Sequence, residues 1–417
     1  MKRSRLSCSL LAGVILLVAG TTQTLMAHVA VGNCKPGLTS FSTIQAAVTA
    51  APAGVTVYVC PGTYPEQVVI SQPLTLQGVV NSGSAVIASP VTGIVANSVQ
   101  SLAGQIVVQN TAGVTLRDLT VDGSNNLIVP CAVTLVGILF ENASGLVDQV
   151  TTRHQTIPAN AACDGRGIEA RSDSGLTSTV TVQNSTVHDF QFEGIRALFR
   201  GTSLTIKNTS VSGVPFSQTA SNNIDFSYGA TGSVTANWIV DASFASLTYP
   251  NFNNGSWGIL LECASGVVVT GNTISNTQTG IVLQSASCPV LTSPTTNSDN
   301  NNISGNFISG SHLFEGIYVC GNNNTIQNNF INSSDEAAVD VDTSCNGGGS
   351  GNNNTVASNK INEACAGVLL NPLGTGNTIG SNRLANVNFA QVSGSIGANV
   401  CDAPGDPNGL VKLTPQD

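Results

Sequence analysis

The 417-residue sequence contains little charge, since Asp, Glu, Lys and Arg together make up 9% of it. An ordinary globular protein has about 25%. Aromatic residues are also scarce, at 5%. Long helices and coiled coils need Glu, Lys and Arg for their exposed faces, so this composition excludes them. The net charge of −9 excludes a broad basic surface, and we expect no nucleic-acid partner.

Glycine and asparagine are abundant instead. The chain has 43 Gly and 42 Asn, and 24 of the Asn fall between residues 270 and 388. Both residue types form helices poorly and suit tight turns, because they tolerate the left-handed backbone conformation. The chain is 41% apolar, which is too hydrophobic for a disordered segment of this low charge. The composition therefore indicates a folded chain that is rich in turns and poor in helix.

The N-terminus has the pattern of a secretory signal peptide. Three basic residues in the first five positions precede an apolar run from Leu10 to Val18, and polar residues follow up to Ala27. The run is too short to cross a bilayer, so we expect no membrane span in the mature chain. We assign residues 1–27 to the signal peptide and expect a secreted, periplasmic or cell-surface protein.

Ten cysteines remain once Cys8 leaves with the signal peptide. An even number of cysteines in an exported chain indicates disulfides. No CxxC or Cys-His spacing typical of a metal site is present. Pairing in sequence order is one of the connectivities that the sequence allows, with separations of 26, 32, 25, 25 and 36 residues: Cys34–Cys60, Cys131–Cys163, Cys263–Cys288, Cys320–Cys345 and Cys365–Cys401.

One short strand pattern recurs along the chain. Each copy has a small residue, then a β-branched or aliphatic residue, then alternation. Successive copies are spaced by 30, 27, 29, 35, 22, 36, 22 and 29 residues, starting at Gly137, Gly167, Gly194, Asn223, Gly258, Gly280, Gly316, Ala338 and Gly367. Self-similarity at such a period is typical of repeat architectures.

Further short strands accompany each copy, usually behind an Asn such as Asn272 or Asn306. Strands this short cannot bury a face alone, but stacked in parallel on similar copies they enclose one apolar core. Alternation predicts that Ile195 and Ala197 point inward while Arg196 points outward. The pattern therefore predicts a solenoid, in which the turn Asn residues support tight corners and stacked side-chain ladders.

The first coils carry a resemblance to a known family. Phe41-Ser-Thr-Ile-Gln-Ala-Ala-Val48 predicts an amphipathic helix with a capping box from Ser42 and Gln45, and Val57-Tyr-Val-Cys-Pro-Gly-Thr-Tyr-Pro-Glu66 follows. Similar openings occur in pectin methylesterases and other β-helix proteins. The mature chain thus resembles the pectate-lyase-like superfamily over nearly all of its length. The resemblance implies an all-β fold: a single-stranded right-handed parallel β-helix (solenoid) with a short N-terminal capping helix.

These patterns divide the chain into four segments. Residues 1–27 are the predicted signal peptide, and residues 28–55 are an N-terminal cap with the amphipathic helix. Residues 56–400 form the β-helix, and residues 401–417 form a C-terminal tail.

The scarce charges cluster in one part of the predicted solenoid. Six of the eleven basic residues beyond the signal peptide lie between residues 153 and 207. Alternation predicts that the outward side chains of successive copies share one exposed face: Glu141, Glu169, Arg171, Arg196 and Asp225. Strands in neighbouring coils are about 4.8 Å apart. Glu169 and Asp225, two coils apart, would thus approach the carboxylate separation of an inverting glycosidase, about 6.5–9.5 Å.

A second chemistry fits the same residues. Arg196 could neutralise the carboxylate of an acidic sugar, as β-elimination requires, with Arg171 or His188 as the base. The catalytic candidates are therefore Glu169, Arg171, Arg196, Asp225 and His188. The alternative is that the stacked charges only pair with one another, as they do on many charged surfaces.

A second acidic group lies near the C-terminal end. Asp340 and Asp342 are two residues apart on one predicted strand, so both should point outward. Carboxylates with Asn nearby suit Ca²⁺, an ion that pectate lyases use. We predict a calcium site here, with a solvated acidic face as the alternative, and no other cofactor.

The sequence lacks the catalytic motifs of the best-known enzymes with this fold. The Gly-Arg-Pro-Trp and Asp-Phe-Ile-Phe-Gly elements of pectin methylesterases are absent, and so is the polygalacturonase set. Three functions stay open. The first is a lyase or glycoside hydrolase acting on an acidic or plant-type polysaccharide. The second is a non-catalytic protein that binds glycans or acts as an adhesive or structural surface protein. The third is an accessory protein for copper-site maturation, which the absence of Met/His clusters disfavours.

Overall fold

The computed structural model describes residues 28–80, 83–98, 101–128, 133–157, 164–173, 175–213, 221–242, 255–285, 288, 297–311, 314–342, 351–370 and 374–393. The predicted signal peptide and C-terminal tail lie outside the described residues, so these segment boundaries stay predictions. All strand pairings between these residues are parallel, in one sheet of 14 strands and one of 21. The chain is a parallel β-helix, as the repeat predicts.

Each coil contributes one short strand to each of three faces, which we call the first, second and third face in chain order. The first face is the 14-stranded sheet: β1 Val29–Val31, β2 Thr39–Phe41, β3 Thr56–Val59, β6 Thr75–Gly78, β9 Val114–Arg117, β12 Gly145–Asp148, β15 Ser178–Gln183, β18 Thr202–Lys207, β21 Thr231–Thr235, β24 Val268–Thr270, β27 Asn302–Ser304, β30 Thr325–Gln327, β32 Thr355–Ala357 and β34 Thr378–Gly380.

The second and third faces belong to the 21-stranded sheet. Nine separate strands form the second face: β4 Gly62–Pro65, β7 Ala85–Ala88, β10 Leu119–Asp122, β13 Thr151–Arg153, β16 Thr186–His188, β19 Ser210–Ser212, β22 Trp238–Ala242, β25 Thr273–Thr277 and β28 Phe307–Ser311. Nine more form the third face: β5 Val68–Ile70, β8 Ala103–Gln109, β11 Leu135–Glu141, β14 Gly165–Arg171, β17 Glu193–Leu198, β20 Asn222–Ser227, β23 Trp257–Glu262, β26 Thr279–Gln284 and β29 Ile317–Val319.

The last coils merge these two faces into longer strands that run through the corner between them: β31 Phe330–Val341, β33 Lys360–Leu370 and β35 Arg383–Ser393. One apolar core runs from Val29 to Val368 along the axis. Ile195 and Ala197 lie in this core with no solvent exposure, which confirms the predicted alternation.

Asparagine ladders fix the stacking of the C-terminal coils. Six buried or half-buried side chains hydrogen-bond in succession, each amide nitrogen donating to the next amide oxygen at 2.9–3.0 Å: Asn237, Asn272, Asn306, Asn329, Asn359 and Asn382. Other Asn residues occupy corners in the left-handed conformation, among them Asn184 (φ 50°) and Asn208 (φ 49°). Both predicted uses of Asn are therefore present.

The predicted amphipathic capping helix is α1, Ile44–Ala50, and its apolar residues Ile44, Ala47 and Val48 are buried against the first coils. The N-cap is Thr43, one residue later than the capping box predicts, because the Thr43 hydroxyl accepts a hydrogen bond from Ala46 N. The Glu66 carboxylate, from the following coil, accepts from the Ile44 and Gln45 N–H groups (2.7 and 2.9 Å). Long-range capping by Glu66 thus replaces the local box.

Two predicted disulfides are present, Cys34–Cys60 and Cys263–Cys288, and Cys320 and Cys365 are also disulfide-bonded. Four of the predicted cysteines lie outside the described residues: Cys131, Cys163, Cys345 and Cys401. No helix of the described residues has the length and apolar character that crossing a membrane requires.

Candidate functional site

The charged residues of β14, β17 and β20 lie on the outer side of the third face, in adjacent coils. The register pairs Glu169 with Arg196 and Arg196 with Asp225. Glu141 pairs with Arg171 in the same way. The sequence therefore predicted correctly that these five residues share one face.

A glycine in each copy brings further charges to this face. A Cβ added at Gly194 would lie 2.5 Å from the carbonyl oxygen of Asn223 in the next coil, and one at Gly167 would lie 2.5 Å from that of Gly194. The missing side chain thus allows close approach of the coils. The residue before each glycine points outward. Arg166 and Glu193 therefore lie beside the row formed by Glu169, Arg196 and Asp225.

Arg166 is the centre of the network. Its Nη1 donates to Glu169 Oε2 (2.5 Å), and its Nη2 donates to Asp164 Oδ2 (2.9 Å). Its Nε lies 2.6 Å from Glu193 Oε2 in the following coil. One guanidinium therefore faces three carboxyl groups.

Arg196 extends the network by one coil. Its Nη1 lies 3.2 Å from Glu193 Oε1, and its Nε lies 3.1 Å from Asp225 Oδ2. The carboxyl groups of Glu193 and Asp225 also hydrogen-bond to each other, and Ser227 Oγ donates to Asp225 Oδ1 (2.5 Å). Arg171 completes the group, with Nη1 donating to Glu169 Oε1 at 3.3 Å.

The prediction that this face is exposed is wrong. Glu169 is 0% exposed, Glu193 and Asp225 are 2% exposed, and the three arginines are also buried. Burial of isolated charges would be very costly, but here each carboxylate meets a guanidinium, which offsets the loss of water. Buried Leu198 and Leu260 lie on the same face. The face is thus a packed layer of paired charges.

The carboxyl groups of this layer differ in their affinity for protons. Burial raises the pKa of Glu193 to about 8, with help from the neighbouring Asp225 and Glu169 charges and against the two facing arginines. Burial also raises the pKa of Asp225. At Glu169 burial acts in the same direction, but three arginines outweigh it and the pKa falls below its usual value. The layer therefore holds two carboxyl groups with raised pKa, Glu193 and Asp225, which share a hydrogen bond, beside an ionised Glu169.

Aromatic residues form a half-buried rim at one edge of the layer. The rings of Phe199 and Tyr228 stack with centroids 6.2 Å apart, and the Arg171 guanidinium lies 5.2 Å from the Phe199 centroid. Tyr228 hydrogen-bonds to Glu262, whose pKa is raised, chiefly by burial. Phe199 and Tyr228 both have left-handed backbones (φ 72° and 57°), which is uncommon for bulky residues and often marks functional sites.

His188 belongs to a different group, on the second face. Its Nδ1 lies 2.7 Å from Asp189 Oδ2, and its ring is 6.4 Å from that of His154. His154 in turn contacts Asp122 (3.0 Å), which also pairs with Arg153 (2.8 Å). The described contacts do not bring His188 to the Glu169 layer. The other base candidate, Arg171, stays protonated in proteins.

Asp340 lies on the third face in β31, near its C-terminal end, but Asp342 follows the end of this strand, so the two residues are not on one strand as predicted. Asp340 is outward, since Val339 and Val341 are in the core, but it is buried and not solvated. Burial raises its pKa, and the charges of Asp342 and Glu336 add to this. Asp342 accepts a hydrogen bond from the Tyr318 hydroxyl (3.0 Å). Calcium at these two carboxylates stays a prediction.

Sequence reasoning missed three residues of the site: Glu193 as part of the layer, Tyr228 and Glu262. Glu262 could have been found, because it occupies the position of Glu141 and Arg171 in a later copy. Glu193 was hidden by strict alternation, which places residue 193 inward with Ile195. No signal in the sequence indicated Tyr228.

The comparisons with known proteins agree with the fold. The family model described as NosD, periplasmic copper-binding protein, matches residues 177–404, more than half of the chain. No curated protein matches the chain.

Several solved structures share the architecture. The GH136 lacto-N-biosidase from Eubacterium ramulus has a TM-score of 0.58 and 12% identity, over 87% of this chain and 68% of that one. The Dettilon tailspike protein has a TM-score of 0.52 and 14% identity, over 79% and 62%. A mutant of the periplasmic alginate epimerase AlgG has a TM-score of 0.50 and 11% identity, over 84% and 83%. At these identities the likeness shows the fold alone.

The described residues do not fit a copper site. Copper is bound by Cys, Met and His side chains. All six described cysteines are in disulfides, and the only two methionines of the sequence are Met1 and Met26. In the part of the chain that the structure describes, no three His, Cys, Asp or Glu side chains are grouped so that they could hold a metal ion.

Proposed function

We propose that this chain, which belongs to the NosD family, is an extracytoplasmic protein that cleaves an acidic polysaccharide, because its fold is shared with carbohydrate-active enzymes. The family is described as periplasmic, and disulfides are consistent with an extracytoplasmic location. Secretion or attachment to the cell surface is part of the proposal.

The observation that carries the proposal is the split in pKa between two carboxyl groups on neighbouring coils. Glu193, with a pKa raised to about 8, keeps its proton at neutral pH, while Glu169 is held ionised. Both face the same guanidinium, that of Arg166. Such a pair can supply the acid and the base for cleavage of a glycosidic bond.

The remaining residues of the layer have supporting roles in this proposal. Arg171 and Arg196 are the cations that bind the acidic group of the sugar, and Asp225 shares the proton of Glu193. The sugar chain enters over the rim, where Phe199 and Tyr228 offer aromatic surface. Glu262, hydrogen-bonded to Tyr228, is the partly exposed carboxyl group that the sugar meets first. In β-elimination Glu262 would be the base in place of His188.

A second function, non-catalytic glycan binding, is favoured by the burial of the layer. Glu169 and Asp225 have almost no exposed surface, and their charges are satisfied within the protein. In this alternative the layer stabilises the coils and only the rim touches a glycan.

Assays of the mature, oxidised chain on polygalacturonate, alginate, xylan and a glycosaminoglycan distinguish cleavage from non-catalytic binding. New reducing ends without ultraviolet absorbance indicate hydrolysis, and new C=C absorbance indicates β-elimination. We expect Glu193→Gln to lower turnover by about 10²-fold or more, and Glu262→Gln, at the rim, to lower it with less risk to folding. Arg196→Ala and Glu169→Gln test the other two proposed roles.

Glu363→Gln is the matched control, because Glu363 is exposed and lies outside the layer. Thermal unfolding of every variant shows whether it is folded. Turnover that is unchanged in the folded Glu193 and Glu262 variants contradicts the catalytic proposal, and binding without turnover on any glycan supports the alternative.

A further inference from the structure

A column of mostly aromatic and basic side chains, each exposed or half-buried, runs along the second face, away from the charged layer. Six residues occupy the same register position in successive coils: Trp238, Thr273, Phe307, Phe330, Lys360 and Arg383. We call them the aromatic column. Trp238 is 57% exposed and Phe307 is 39% exposed. Contiguous exposed apolar side chains mark interaction sites, so the grouping of Trp238, Phe307 and Phe330 in one column indicates a partner.

The adjacent Asn ladder holds the column rigid. Each of its residues directly follows one ladder residue, so that Asn237 precedes Trp238 and Asn306 precedes Phe307. The ladder bonds of 2.9–3.0 Å fix the height of each coil relative to the next. The side chains therefore recur at the strand spacing of about 4.8 Å without loop motion. A preordered surface loses little entropy on binding.

The C-terminal end of the column is cationic. Lys360 Nζ lies 4.7 Å from the centroid of the Phe330 ring, and the Phe330 and Phe307 rings are 5.2 Å apart. Neither Lys360 nor Arg383 forms an ion pair within the described residues. In a chain of net charge −9, two exposed and adjacent cations without acidic partners favour an anionic ligand.

Polar side chains line the column on one side. Two positions further along the same strands lie Ser275, Ser309, Asn332 and Asn362. Asn362 Nδ2 donates to Asn332 Oδ1 at 2.7 Å, which leaves the second amide hydrogen of Asn362 and the hydroxyl groups for a ligand. Aromatic faces beside amides and hydroxyls suit a ligand with both apolar and hydroxyl-bearing surfaces.

We propose that the aromatic column binds a strand of acidic polysaccharide that lies along the helix axis. Its sugar rings stack on Trp238, Phe307 and Phe330, and its carboxylates pair with Lys360 and Arg383. The site shares the ligand class of the proposed function but none of its residues. Binding at the aromatic column can therefore be tested separately from catalysis.

The test is affinity electrophoresis of the mature, oxidised chain in gels that contain polygalacturonate or, for comparison, neutral dextran. We expect retardation by polygalacturonate that weakens with salt. Trp238→Ala combined with Phe307→Ala should weaken binding by about tenfold or more, as truncation of aromatic anchors does in other interfaces. Lys360→Gln combined with Arg383→Gln should weaken binding and flatten its salt dependence.

Two controls match these changes in residue type. Leu127→Ala removes an exposed apolar side chain elsewhere (66% exposed), and Lys35→Gln removes a lysine that stacks on Tyr58 in the same way (4.8 Å). Both should leave retardation unchanged. All of these positions are at the surface, so the variants should fold, and thermal unfolding checks this.

Three results would overturn the proposal. The column variants could be retarded as strongly as the unmodified chain. The column could instead mediate self-association, seen as a dimer in sedimentation that Trp238→Ala abolishes, with no glycan binding. It could bind phosphatidylglycerol vesicles and no polysaccharide. Loss of turnover in the Glu193 variant with normal retardation would leave the column proposal intact, and the reverse pattern would leave the catalytic proposal intact.

Discussion

Glu193 lies 2.6 Å from the Nε atom of Arg166, which belongs to the preceding coil. The same carboxyl group reaches Arg196 on its own strand (3.2 Å), and it shares a hydrogen bond with Asp225 on the next coil. One buried side chain thus joins three successive coils. The charged layer is therefore a structural unit as well as a proposed reaction site, and its properties can be tested without a substrate.

Stability should fall as pH rises from about 4.5 to 8. The folded-state pKa of Glu193, about 8, is above its unfolded value of 4.5, so the folded state holds an extra proton in this window. The stabilisation is complete below the unfolded pKa and is lost as pH rises through the folded pKa, by at most about 1.4 kcal/mol per pH unit for one proton. Urea unfolding at several pH values measures this slope, and Glu193→Gln should reduce it. An equal slope in that variant would assign the effect to other groups.

Removal of one cation from the layer should be severe. Arg166→Ala leaves Glu169 and Glu193 buried beside one another without their shared partner, which should cost about 3–5 kcal/mol of unfolding free energy. Arg117→Ala is the matched control, because Arg117 pairs with Asp118 and Asp148 while its side chain is 37% exposed. It should cost about 0–1 kcal/mol. Equal losses of unfolding free energy in the two variants, measured in urea, would show that the buried ion pairs stabilise the fold no more than the exposed ones.

The glycine of each repeat should not tolerate a side chain. In Gly194→Ala the new methyl group would meet the Asn223 carbonyl oxygen at 2.5 Å and the Val211 side chain at 2.7 Å, so neighbouring coils would have to separate. We expect a loss of about 1–3 kcal/mol, as in other overpacked cores. Gly380→Ala is the control, since nothing lies within 4 Å of a Cβ there. Differential scanning calorimetry compares the two variants, and similar melting temperatures would contradict the close-approach explanation.

If Ca²⁺ binds at Asp340 and Asp342, the melting temperature should rise when Ca²⁺ is added to chelator-treated protein. A ligand at 100 times its Kd stabilises by about 2.7 kcal/mol. Asp340→Asn should abolish the rise, while Asp299→Asn, a substitution on a different coil, should keep it. A melting temperature that does not respond to Ca²⁺ in the unmodified protein removes this prediction.

The sequence was sufficient for the fold because the repeat is local. In each copy, a small residue followed by alternating apolar and polar residues predicts the strand. Stacking of the copies then determines the topology. The same register rule correctly placed Glu169, Arg196 and Asp225 on one face. It failed for Glu193, because the backbone at Gly194 departs from strict alternation.

Burial and distant contacts could not be predicted in this way. Alternation separates inward from outward side chains, but whether an outward side chain is exposed depends on what packs over it. The prediction of an exposed charged face was wrong for this reason. His188 was a base candidate within the charge-rich stretch 153–207, but its strand β16 belongs to the second face, because nearness in sequence does not imply the same face. Glu66 capping α1 from the next coil is likewise a contact between distant residues.

The proposed acid–base pair requires that Glu193 keeps a proton at neutral pH inside the charged layer. The most direct measurement is infrared difference spectroscopy of the protonated carboxyl band, comparing the unmodified chain with Glu193→Gln at pH 7 and pH 10. We expect a band at pH 7 that is present only in the unmodified chain and disappears by pH 10. Identical spectra for the two proteins at pH 7 would contradict it.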